Sequence, residues 1–217
     1  VPIYFHIHDA DWFRDRFLPA MTLCRNRRTF APCRQLCTEI LPAVLEFSGR
    51  FQHPDEKPFI CSLDDRMPFD LRRWRCLVGE LLLFGAVEVP EIPQAMEALC
   101  RLCATEQRDP LNTPREHFTP MQQAIFGTRD LCFGSTFHRP EHAGWNDGDD
   151  VQRLVDFLHT IETATWNVQT LKEWRPEADD EELREEMEFA RASLLNLRDM
   201  YRVAAFRRRV VVCERME

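Results

Sequence analysis

The chain has 217 residues, 44% of them hydrophobic and 11% aromatic, with a net charge of −8. That apolar mass excludes intrinsic disorder, and a chain of this length folds around its own core without covalent staples. The acidic balance excludes a general nucleic-acid binder, since phosphate recognition needs a basic face; the clusters Arg25, Arg27, Arg28, then Arg72, Arg73, Arg75, then Arg207–Arg209 read as solvated helix surface or partners of carboxylates.

Ile3–Ile7 is β-branched and aromatic and predicts a short strand. Asp9 or Asp11 then caps a helix with Trp12, Phe13, Phe17 and Met21 on its apolar side, which Pro19 interrupts or kinks. Pro32 suits the first turn of a second helix, with Leu36, Ile40, Val44 and Phe47 at helical spacing and Gly49 as its stop. Residues 50 to 66 read as irregular, with a short strand at Phe59–Leu63. From about Phe69 to Phe84 the chain is apolar nearly all round, the mark of a buried helix.

Pro90 and Pro93 introduce a helix that turns Met96, Leu99, Cys100 and Cys103 inward. Two helix-start signals follow, Thr113–Glu116 and Thr119–Gln122, so close together that one must give way; Gly127 ends the helix. Residues 127–148 form a long connection rich in Gly, His and aromatics. Asp149 or Asp150 caps a helix with Val151, Leu154, Val155, Leu158 and Ile161 inward. After a polar segment around Pro176, the seam Leu183, Met187, Ala190, Leu194, Leu197, Tyr201, Ala204 repeats by four and three. Its expected cover is the chain's own bundle, with a homodimer through the 183–204 helix as the alternative. Val210–Cys213 predicts a last strand that pairs with Ile3–Ile7 and joins the termini.

The fold expected is therefore mainly α: one domain over 1–217, a bundle of six to eight helices with a small sheet of the N- and C-terminal strands. Nine irregularly spaced cysteines read as buried reduced thiols in a reducing cytoplasm. Cys33 and Cys37, and Cys100 and Cys103, lie one helical turn apart, and a single CxxC without a second pair falls short of a structural zinc set. Val1–Asp11 lack the basic start and long apolar core of a signal peptide. The apolar run Leu77–Val87 is interrupted by Glu80 and too short to span a bilayer, so no membrane partner is expected.

The motifs of phosphate-binding loops, dinucleotide folds, serine hydrolases and HExxH metalloproteases are absent from the sequence. Three groups of chemically capable residues remain. His138 and His142 flank Glu141 in the Gly-rich connection, and Pro140 breaks any helical His-x-x-x-His arrangement. His6 and His8 fall on one face of a strand, as two ligands of one metal would. Glu80 stands among leucines, where desolvation raises a carboxyl pKa toward acid–base use, although an Arg tie between helices is its ordinary role. With catalytic signatures absent, the leading expectation is a non-enzymatic interaction or accessory protein that holds a protein partner through the 127–150 loop or an exposed helix face. It needs no cofactor. The alternative is a small enzyme with a divalent metal or acid–base site at His138, Glu141 and His142, joined by His6 and His8.

Overall fold

The computed structural model describes residues 3–48, 58–64, 66–93, 95–103, 113–138 and 143–215. These are mainly α-helical, with eight α-helices and a small sheet that contains both terminal strands. The chain divides into two compact units, and each is described by itself. The strand β1 (Ile3–Asp9) contributes Ile3–Phe5 to the first and His6–Asp9 to the second.

Among the described residues the second unit holds three α-helices. Asp9 Oδ1 accepts from the Asp11 and Trp12 amides and starts the first. Its opening turns, Trp12–Phe17, are wound wide in π-helical geometry, and α1 (Leu18–Arg27) continues from them. Pro19 therefore does not stop the helix. Proline removes the N–H that would bond four residues back, and a wide preceding turn accommodates the loss. Arg28 adopts a left-handed conformation (φ 49°), and the Thr29 amide donates to the Cys24 carbonyl, closing the helix. A 3-10 turn at Ala31–Cys33 leads into α2 (Arg34–Ser48). The expected stop at Gly49, like the Phe47 side chain, lies outside the described residues.

The strand expected at Phe59–Leu63 is instead a 3-10 turn, Phe59–Ser62. Its first amides are taken by the Glu80 carboxylate, so they are not available to a neighbouring strand. Asp70 caps α3 (Leu71–Phe84) by accepting from the Arg73 amide at 2.8 Å. Trp74, Leu77, Val78, Leu81 and Leu82 are buried on it, while Leu71 and Leu83 look outward. A hairpin of β3 (Cys132–Phe133) and β4 (Thr136–Phe137) completes this unit, and Gly134 turns it with a positive φ of 67°. Phe133 meets Trp74 edge-on at 5.3 Å and Phe17 at 5.8 Å. Such pairs add about 0.5–1.5 kcal/mol beyond the area they bury.

The first unit is built on α8 (Asp180–Phe206), started by Asp179, which accepts from the Glu181 and Glu182 amides. The heptad seam from Leu183 to Ala204 is buried against α4 (Met96–Cys103), α6 (Gly148–Thr160) and α7 (Val168–Trp174). The seam is thus covered within the chain, as its apolar width requires. The helix α7, capped by Asn167, was not expected: with seven residues it is too short to show a period. Of the two starts, Thr113–Glu116 gives way to a 3-10 turn and Thr119 caps α5 (Pro120–Phe126) in a full capping box with Gln122.

The sheet is larger than two terminal strands. Its order is β1, β6 (Arg209–Arg215), β5 (Ala143–Asn146), β2 (Arg129–Asp130), with β5 antiparallel to both its neighbours. Both extra strands come from the 127–148 connection. The cap of α6 is Asp147 and not Asp149 or Asp150: its Oδ1 accepts from both of those amides, at 3.1 and 3.0 Å. No helix among the described residues is long and apolar enough to cross a membrane.

Candidate functional site

The Gly- and His-rich connection is organised by the problem at the end of α5. A helix leaves its last carbonyls without intrahelical donors. Here side chains from two distant places, Tyr201 and Arg115, supply them, and Asn146 adds a second donor to the Gln123 carbonyl, which already accepts the Gly127 amide. Asn146 Nδ2 donates to the Gln123 carbonyl at 3.1 Å and to the Tyr201 hydroxyl at 2.8 Å. Tyr201 in turn donates to the Ala124 carbonyl at 2.7 Å. The Arg115 guanidinium donates to the Phe126 and Gly127 carbonyls at 2.6 and 2.7 Å and to Ala143, and pairs with Asp130. The Asn146 amide oxygen accepts from the Thr128 amide and hydroxyl, both at 2.7 Å. Asn146 and Tyr201 are fully buried, and burial holds the Tyr201 phenol well above its ordinary pKa, so it stays a neutral donor. This node is saturated with internal partners and serves packing.

The glycines of the connection serve the same closeness. Gly127 has a positive φ of 81°, and a Cβ on it would overlap the Trp145 nitrogen. A Cβ on Gly144 would overlap the Phe126 carbonyl oxygen. Around the start of α6, Arg129 pairs with Asp147 at 2.7 Å and with Asp150, and lies over the Trp145 ring.

The sequence candidates for metal or acid–base chemistry fall as follows. His138 is buried after β4, and its amide donates to the Leu131 carbonyl at 3.1 Å. Glu141 and His142 lie outside the described residues. His6 and His8 are both buried on β1 with rings 6.3 Å apart, and His8 stacks on Trp12 at 5.3 Å. Among the described residues, no three His, Cys, Asp or Glu side chains are grouped as a metal ion would need, so His6, His8 and His138 do not make such a set. Glu80 receives the Phe59 and Ile60 amides at 2.5 and 2.8 Å, the role expected of an Arg. Burial pushes its carboxyl above the ordinary value, and those two amides pull it part of the way back.

A feature the sequence reading did not single out lies on the outer face of α8. Glu182, Glu185, Glu186 and Phe189 follow one another at i, i+3, i+4 and i+7, a single helical stripe. With Ala95 and Arg175 they line an open groove of about 490 Å³. Two contacts position the opposite wall. Ser193 Oγ donates to the Pro93 carbonyl at 2.9 Å, which fixes the segment leading into α4. Arg175, just past α7, pairs with Glu186 at 2.8 Å. That pairing takes up one carboxylate and leaves Glu182 and Glu185 exposed on the rim, so the groove carries net negative charge. Phe189 is 60% exposed in it.

No protein family, curated protein or solved structure matches the chain.

Proposed function

We propose that the protein is a non-enzymatic interaction module whose α8 groove holds a basic segment of a partner protein, anchored by an apolar side chain against Phe189. The observation that carries this reading is Phe189 itself, exposed in a groove whose free rim charges are the carboxylates of Glu182 and Glu185. A cationic segment complements that rim, and exposed charge pairs of this kind give orientation and on-rate more than affinity. The apolar contact supplies the larger part: covering a phenyl ring contributes about 1.5–3 kcal/mol. The mode is an anchored segment laid along the i, i+3, i+4, i+7 stripe of a helix.

The test uses a displayed library of random dodecapeptides selected against the whole protein, followed by titration of the recovered peptides. Recovered sequences are expected to combine Arg or Lys with one large apolar residue. Phe189→Ala should weaken them roughly tenfold or more, which is the lower end of the burial energy above. Glu182→Gln with Glu185→Gln should weaken them less and flatten the salt dependence that screening imposes. Peptides without basic character, or peptides that bind these variants as well as the wild type, would sink the proposal. A selection that enriches nothing would do the same.

A further inference from the structure

A third stripe of α8 lies apart from both the buried seam and the groove. It is centred on Leu195, which is 59% exposed, and it ends at Phe206, which is 88% exposed. Four residues to either side of Leu195 stand Arg191 and Asp199; at seven stand Glu188 and Arg202, and at eleven Arg184 and Phe206. Steps of four, seven and eleven return to one side of a helix, so these positions share a face. At 3.6 residues per turn that face lies roughly 130° from both the seam and the groove. Within the chain Arg191 pairs with Glu188, and Arg202 pairs with Asp199 at 2.9 Å.

The two halves of the stripe are complementary in charge. We infer that this face is an interface between two copies of the chain, packed antiparallel with Leu195 on the two-fold axis. A residue before Leu195 then faces the residue equally far after it on the second copy, and each contact occurs twice by symmetry. Arg191 meets Asp199 of the second copy, Glu188 meets its Arg202, and the Arg184 guanidinium meets its Phe206 ring. The in-chain pair Glu188–Arg191 joins the second copy's Asp199–Arg202 pair into a closed set of four charges. Two such sets flank the Leu195 side chains, which the approach removes from water. Parallel packing would set each charge against its own kind, so the pattern selects the antiparallel pair. The contact runs along about 33 Å of α8 at 1.5 Å per residue. That is a small interface, and association in the micromolar range is expected. The groove faces elsewhere, so this inference stands or falls apart from it.

Analytical ultracentrifugation of the whole protein over a hundredfold range of concentration reads the association directly. The mass should rise from the monomer's toward twice that value as concentration climbs into the high micromolar, and less so in high salt. Leu195→Glu lies at an exposed position outside the core. It should raise the dissociation constant roughly tenfold or more, because a leucine contact is lost and two carboxylates meet on the axis. A chain with Arg191→Glu and Arg202→Glu is acidic at all four ion-pair positions, and one with Glu188→Arg and Asp199→Arg is basic at all four. Each alone should stay monomeric, and an equimolar mixture should form the dimer. Leu195→Cys under mild oxidation tests the register: the tryptic peptide Ala192–Arg198 should be joined to its own copy, resolved by mass spectrometry from any bond at the exposed Cys61 and Cys76. A wild type that is monomeric at every concentration would overturn the inference, as would one whose association Leu195→Glu leaves unchanged. Charge variants that do not associate when mixed, or a 192–198 peptide that is not joined, would overturn it too.

Discussion

Replacing Tyr201 by Phe removes one oxygen from a fully buried ring and tests whether side chains really finish α5. The hydroxyl donates to the Ala124 carbonyl and accepts from Asn146. The Ala124 carbonyl sits in the last turn of α5, and the Thr128 amide that would serve it in a longer helix is turned to Asn146 instead. The variant thus leaves the buried carbonyl with only the long contact from the Cys213 thiol at 3.9 Å, while Asn146 keeps its bond to Gln123. A lost partner of this kind costs about 1–3 kcal/mol, and the small void adds little, so about 2 kcal/mol is expected. For a chain of this length that is a fall in Tm of about 4–8 °C. Urea unfolding followed by tryptophan fluorescence and circular dichroism measures it. The cycle with Asn146→Ala should show a coupling of at least about 0.5 kcal/mol, since the two residues share one network. A Tyr201→Phe variant within about 0.5 kcal/mol of wild type, or additive with Asn146→Ala, would refute the account of this node.

Gly127→Ala combines a positive φ with overlap on the Trp145 backbone, neither of which a flexible side chain can relieve; a loss of about 2 kcal/mol or more is expected in the same urea assay. Glu80 is an acid whose folded pKa is raised above the ordinary 4.5. The sign follows: its contribution is fully present below about pH 4.5 and is lost as pH rises through the folded value. Glu80→Gln does not titrate, so wild-type stability should fall relative to this variant across that window, and a constant or reversed difference would count against the burial argument. Burial pushes the thiols of Cys100, Cys103 and Cys213 up to about 12, so a thiolate-specific disulfide reagent at pH 8 should label Cys61 and Cys76 well before these three, a contrast that denaturant abolishes.

What the sequence made legible was local. Caps at Asp9 and Thr119, the prolines before helices and the seam of α8 each act within a few residues, and period and capping chemistry suffice to read them. The pairing of the terminal strands followed from their β-branched character and the closeness of chain ends. Beyond that range the reading thinned. The strands β2 and β5 have two and four residues, too few for alternation to register. Glu80 was visible as a buried carboxylate, yet its partners are the amides of a turn some twenty residues away in sequence, which no local pattern announces.

The α8 groove is the opposite case, for its signal was present and went to another use. Once Leu183, Met187, Ala190 and Leu194 are assigned to the buried seam, helical geometry forces Phe189 outward, two positions past Met187 and out of phase with it. The same geometry gathers Glu182, Glu185 and Glu186 beside it. A single exposed aromatic residue is common on protein surfaces, and Phe206 on the same helix is more exposed still; what sets Phe189 apart is its place in the groove beside the carboxylates. The clustered glycines argue the other way. Their concentration in residues 127–148 pointed toward chemistry, yet Gly127 and Gly144 are explained by the approach of two backbones at the end of α5. The proposed function therefore rests on the residue that stands outside its helical pattern, while the two glycines Gly127 and Gly144 answer to packing.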